Sequence, residues 1–205
     1  MNATLSSHEA ELAVLKQLFA AATHDASAAM CRWTGGCVTL SLDEIHELPL
    51  DTACAELLAG DELLTMVVLS LEGDVGGQMI LTFDELHGRR LVSSLLGQPV
   101  SDSPEWSELE KSALTETGNI LGCAYVNALT RLLGTELIPS APYFIQDYGA
   151  SVLQQALLAQ AITSDKILIC RTCFRREGEE LDWHVLFIPT AALRRAMAGA
   201  LSCTS

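Results

Sequence analysis

The sequence predicts an α+β fold: a pseudo-twofold, duplicated domain in which an antiparallel β-sheet carries two long helices and additional helices packed on it. Three observations lead there. The order helix, strand, helical segment, long hairpin, helix occurs twice along 205 residues. Two long helical patterns each end at a glycine. Two apolar hairpins follow them. A chain of this length holds one domain with a sizeable core, read as a single unit 1–205 made of two repeats, about 6–97 and about 103–202.

The first helix opens on Ser6-Ser7-His8-Glu9, a capping-box pattern. It ends near Cys31, stopped by Trp33-Thr34-Gly35-Gly36. Cys37 to Leu42 reads as a strand. Leu63 to Leu71 is a strongly apolar strand that turns at residues 72–77 and returns over Gln78 to Thr82. A helix from Asp84 to Leu96 closes the first repeat, with Gly97 ending it and Pro99 just beyond. The second repeat starts at Ser103-Pro104-Glu105-Trp106, with proline at the first helical position. Its helix runs to about Leu133 and stops at Gly134. Glu136 to Ile138 is extended, and Gly149 to Ala161 reads as helical. Lys166 to Phe174 and Leu181 to Ile188 form the second hairpin, and Ala191 to Leu201 the last helix. Shifted by 99 positions, Gln17 falls on Glu116, Gly35 on Gly134, and residues 38–42 on residues 137–141.

Composition excludes several function classes. Apolar residues make up 49% and charged residues 19%, a globular balance. A formal net charge of -14 opposes general nucleic-acid binding, which needs Lys and Arg to neutralise phosphates. The same charge is repelled by anionic membrane surfaces. Met1 to His8 lacks a basic region followed by an apolar run, and no stretch approaches a membrane span. The expectation is a soluble, cytoplasmic protein. Seven cysteines without an export signal read as free thiols. Cys170 and Cys173 form a C-x-x-C, but within a strand their side chains point to opposite faces, and no second ligand pair follows. No metal site is expected.

On the helix from Ser107 to Leu133, Ser112, Glu116, Asn119 and Cys123 fall within a stripe roughly 60° wide. Leu114, Leu121, Tyr125, Ala128 and Leu132 gather on the opposite, core-seeking side. Gly118, between Glu116 and Asn119, lowers helix propensity by up to about 1 kcal/mol against alanine. It allows close approach, either of a partner's backbone or of another part of this chain. A glutamate and an asparagine on a solvated helix face are by themselves ordinary surface. A thiol enzyme built on Cys123 would need basic neighbours to lower its pKa, and none is evident in the sequence.

Ser112-x-x-x-Glu116-x-x-Asn119, followed 23 positions later by Pro142, resembles the pattern of the CheC family of chemotaxis phosphatases (the CheC, CheX and FliY group). Glu116-Thr117-Gly118-Asn119-Ile120 is similar to that family's E-x-G-N-I. Asn127-Ala128-Leu129, Leu132-Leu133-Gly134 and Pro139-Ser140-Ala141-Pro142 resemble its later helix and strand start. The resemblance covers nearly the whole chain. It implies a phosphatase acting on the aspartyl phosphate of a CheY-like response regulator, with Glu116 and Asn119 catalytic and Ser112 and Pro142 supporting. It implies no cofactor of the chain's own, with Mg²⁺ carried by the partner regulator. The family often bears the motif twice. Here the first copy reads Ala13, Gln17, Ala20 and Asp43, so one working site is expected. His24 and Asp25 read as helix surface. The alternative is a non-enzymatic adaptor that binds a phosphorylated regulator, as flagellar switch components do, or a CheD-type deamidase.

Overall fold

The computed structural model describes residues 7–36, 38–49, 52, 63–72, 75–148, 151, 166–176, 179–181 and 183–202, and all structural statements concern these. Every ladder among them is antiparallel. Helix α1 (Ser7–Trp33) leads into strand β1 (Val38–Pro49). The hairpin of β2 (Leu63–Glu72) and β3 (Gly77–Phe83) follows, then helix α2 (Glu85–Leu96). Helix α3 (Glu108–Leu133) comes next, then β4 (Ile138–Pro139), β5 (Tyr143–Tyr148), β6 (Lys166–Arg176), β7 (Glu179–Leu181) and β8 (Trp183–Pro189), and the order ends with α4 (Ala191–Ser202). The α+β expectation holds, and four helices accompany an open antiparallel sheet.

Hydrogen bonding links β4 and β5 to β2, then β2 to β3 and β3 to β8. A second group runs β1, β6, β7, and β6 lies beside β8 where the groups meet. The central strands are buried on both faces. In β2, Thr65 to Leu69 are all buried, and so is most of β3. Such strands read as continuous apolar runs rather than alternation, because both of their faces are shielded from water. Opposed residues Phe83 and Trp183 stack their rings 5.1 Å apart across the β3–β8 ladder.

Several boundaries differ from the sequence reading. Helix α1 continues two residues past Cys31, to Trp33, before Gly35 and Gly36 adopt positive φ. Strand β1 extends to Pro49, and its register with β6 slips between Leu42 and Glu44, leaving Asp43 as the extra residue of a bulge. The expected return strand from Leu181 is divided: residues 179–181 form the short strand β7, which pairs with β6, and Trp183–Pro189 form β8, whose ladder is with β3. Of Glu136 to Ile138 only Ile138 is strand. Helix α3 does not start at Ser103-Pro104. It starts at Glu108, for reasons that belong to the site. Of the helix expected over 149–161 only Ser151 lies within the described residues. Cys170 and Cys173 do lie on one strand, opposite Ile45 and Ser41, but their side chains fall outside the described set.

Helices α1 and α3 pack against each other through one core. The Thr23 hydroxyl and the Tyr125 hydroxyl share a buried hydrogen bond of 2.7 Å. At the surface Arg131 of α3 pairs with Asp25 of α1. Asp25 is therefore engaged in joining helices, in keeping with the surface reading of His24 and Asp25.

Candidate active site

The start of α3 is fixed by a reciprocal cap. Ser107 accepts from the Glu110 amide at 3.3 Å, and Glu110 accepts from the Ser107 amide at 2.7 Å. Buried Arg89 of α2 donates to the same glutamate at 2.8 Å, to the Ser103 carbonyl at 2.8 Å and to Glu85 at 3.2 Å. Its guanidinium also lies 3.9 Å over the Trp106 ring. This cluster explains why proline at 104 does not begin the helix. Trp106 must turn into the core, where it is 4% exposed, before the helix can start. Burial pushes the Glu110 carboxyl upward, but the Ser107 amide, the Ser107 hydroxyl and Arg89 together outweigh it and hold the pKa below its usual value. Arg89, Trp106 and Glu110 were not singled out from sequence. The S-x-x-E spacing of Ser107 and Glu110 was the available signal, masked by the competing proline signal three residues earlier.

The height of α3 above the sheet is set by glycine. A Cβ at Gly118 would land on the Val67 side chain, and one at Gly122 on Leu69. Of the two uses considered for Gly118, the structure shows the internal one: the helix seats closely on β2. Leu114, Leu121 and Tyr125 on the same side are at most 1% exposed, and Ala128 is buried.

The opposite face therefore points outward on a helix fixed at both ends, with Gly134 in the left-handed conformation closing it. Ser112 and Glu116 are exposed, and Asn119 and Cys123 half-buried. The Asn119 side-chain nitrogen lies 3.5 Å from the Glu116 carboxylate, a long contact that leaves both groups capacity for further hydrogen bonds. The Cys123 thiol lies 3.7 Å from the Asn119 side-chain oxygen. Burial and then the Glu116 charge push the Cys123 pKa up, so the thiol stays protonated and is a poor nucleophile. That opposes a thiol enzyme built here.

Pro142 is half-buried in the link between β4 and β5, both of which lie against α3. The link is tied to β2: the Ser140 amide donates to the Ser70 carbonyl at 2.8 Å, and the Ser140 hydroxyl accepts from the Ser70 amide at 2.9 Å. Ser112, Glu116 and Asn119 thus share one face, with Pro142 on a neighbouring element. Of the positions read as a degenerate first motif, Gln17 and Ala20 are exposed on α1, Asp43 is at the β1 bulge, and the Ala13 side chain lies outside the described residues. Ala20 borders a groove of about 450 Å³ between α1 and β1, lined also by Thr23, His24 and Leu40. No carboxylate–amide pair stands there. Among the described residues no group of His, Cys, Asp and Glu is arranged to hold a metal ion, and no helix is long and apolar enough to cross a membrane.

The α+β fold thus presents a carboxylate and an amide side by side on one exposed helix face, and known proteins resemble the chain in sequence and in fold. No family model matches the chain. It is 26% identical over 158 residues to the CheY-P phosphatase CheC of Bacillus subtilis, spanning 70% of this chain and 76% of that protein. It is 24% identical over 123 residues to the putative CheY-P phosphatase CheC1 of Halobacterium salinarum, spanning 60% of this chain and 62% of that one, less than two thirds of its length. In fold it matches Thermotoga maritima FliY with a TM-score of 0.74, at 15% identity over 99% of this chain and all of the other. It also matches the CheX–CheY–BeF3–Mg complex of Borrelia burgdorferi with a TM-score of 0.55 at 18% identity, covering 87% of this chain and 99% of that one. The FliM middle domain of H. pylori matches with a TM-score of 0.67 at 13% identity over 95% of this chain and 99% of the other. In sequence the chain is similar to the CheC proteins, and in fold to FliY, CheX and the FliM middle domain.

Proposed function

We propose that this chain accelerates loss of the aspartyl phosphate from a CheY-like receiver domain, with Glu116 and Asn119 as its working residues. The observation that carries the reading is their placement: an exposed carboxylate and a side-chain amide 3.5 Å apart on a rigid, doubly capped helix. An acyl phosphate is already activated, so the catalyst's task is positioning and charge balance rather than covalent chemistry. Asn119 hydrogen-bonds the attacking water and holds it in line with phosphorus. The water oxygen bonds to phosphorus as the bond to the aspartyl oxygen breaks, leaving inorganic phosphate and a free carboxylate. Glu116 pairs with the receiver's lysine, anchoring the helix and opening access to the phosphoryl group. Mg²⁺ belongs to the receiver, whose acidic ligands hold it and whose charge chemistry it supplies. Ser112 supports docking on the helix face, and Pro142 fixes the path of the link beside the helix.

A panel of receivers charged with acetyl phosphate, assayed for phosphate loss with and without the chain, tests this. At least one should lose phosphate faster in its presence. The similarity to FliM supports a second reading, an adaptor that binds a phosphorylated receiver or a CheD-type deamidase without hydrolysis. Tight binding to a charged receiver with no gain in rate across the panel would favour that reading.

A further inference from the structure

We propose that Leu109 is the apolar anchor by which the chain grips a phosphorylated CheY-type receiver, two helical turns from the reactive pair. This rests on the function proposed above and names a docking residue for it. Seven residues separate Leu109 from Glu116, so the two lie within about 20° of each other around α3 and roughly 10 Å apart along it. Leu109 is 55% exposed, while Leu114, Leu121 and Leu129 of the same helix are at most 1% exposed. A single exposed leucine is ordinary. What distinguishes this one is its register and its support.

It stands in line with Ser112, Glu116 and Asn119, and the small Ser112 leaves no bulky side chain between it and Glu116. It sits in the first turn of α3, held by the Ser107–Glu110 cap and by Arg89, so its direction is fixed before any partner arrives. Exposed Glu105 flanks it, as does exposed Glu108, whose carboxylate pairs with Lys111 at 2.8 Å. An apolar residue on a rigid element, rimmed by charge, is the usual form of an interface anchor. A receiver whose lysine meets Glu116 must lay the surface beside its phosphorylation site along this strip. The carboxylate of exposed Glu105 suits a partner that presents a cation there. The occupant is therefore the same receiver that carries the phosphate.

The test measures affinity for a beryllofluoride-charged CheY-type receiver together with KM and kcat for the acetyl-phosphate-charged form. L109A should weaken binding and raise KM by about tenfold, equivalent to ~1.4 kcal/mol, with kcat and melting temperature unchanged. L86A, which truncates a leucine 53% exposed on α2, should leave both constants as they are. Affinity and KM within about twofold of wild type in L109A would overturn the proposal, as would equal losses in L86A. A change confined to self-association of the chain would overturn it too, by assigning the leucine to a second copy. N119A and the wild-type rate separate the two claims: normal L109A constants with turnover lost in N119A remove the anchor alone, full turnover in N119A removes the water-holding role of Asn119, and no acceleration by the wild-type chain removes the phosphatase reading.

Discussion

Helices α1 and α3, matched by the 99-residue offset read from the sequence, share one core, yet they solve different problems. Where α3 has Gly118, the matching position of α1 is Phe19, fully buried with its ring 5.1 Å from that of Phe187. A ring fills space on one side of the molecule that a glycine keeps clear on the other. Where α3 offers Glu116 and Asn119 to solvent, α1 offers Gln17 and Ala20. Helix α3 is also tied at its start to the buried Arg89 cluster. The inward faces are both committed to packing, by opposite means, and the outward faces differ in chemistry. The lesson is that the scaffold needs both helices, while the proposed reaction needs the surface of one.

The sharpest way to break this contrast is to exchange what each seat requires. F19A should cost about 3–5 kcal/mol in denaturant unfolding, since it leaves a cavity against Phe187. A cost well below 1 kcal/mol would show that α1 is not a core helix in the way described.

The anchoring of α3 can be sharpened through pH. Glu110 is held below its usual pKa, so its contribution to stability is complete above the ordinary carboxylate range and is lost as pH falls through the lower folded value. E110Q should lower stability by roughly 2–3 kcal/mol at neutral pH, with Arg89 left buried and poorly paired. The gap between wild type and variant should close as pH falls below the ordinary carboxylate range. A gap that stays constant with pH would remove the ion-pair account.

G118A should be unfavourable by about 1–2 kcal/mol despite the gain in helix propensity, because the new methyl meets Val67. V67A should recover part of that loss in the double variant, and additivity of the two would contradict the close seat. The smallest effect belongs to α1. Q17A should change the rate of receiver dephosphorylation by less than about twofold, within what a distant surface substitution does. A large loss would mean that α1 still contributes to the chemistry.

Much of the fold was legible because its signals are local. Gly97 and Gly134 ended helices where expected, and both adopt the left-handed conformation. The apolar run at Leu63 to Leu71 could only be a buried strand. The face of α3 carrying Leu114, Leu121 and Tyr125 was readable from helical periodicity. The start of α3 was not, because Pro104 and the Ser107–Glu110 spacing are both valid start signals, and the choice depends on Trp106 and Arg89, which meet only in three dimensions. The seat at Gly118 was half-legible: the sequence marked a close approach but not that Val67 lies beneath it. The β1 bulge at Asp43 depends on pairing with β6, more than a hundred residues away, and left no local trace. The pairing of Glu116 with Asn119 followed from their spacing; their chemical use was suggested by family resemblance alone.

The most direct test of the account is the single-turnover rate of phosphate loss from a charged CheY-type receiver, measured at saturating concentrations of wild-type chain and of N119A. The account predicts that N119A slows the step by at least about 100-fold, since a water no longer held in line loses that much, while affinity for the receiver stays within a few-fold. An N119A rate equal to wild type would contradict it.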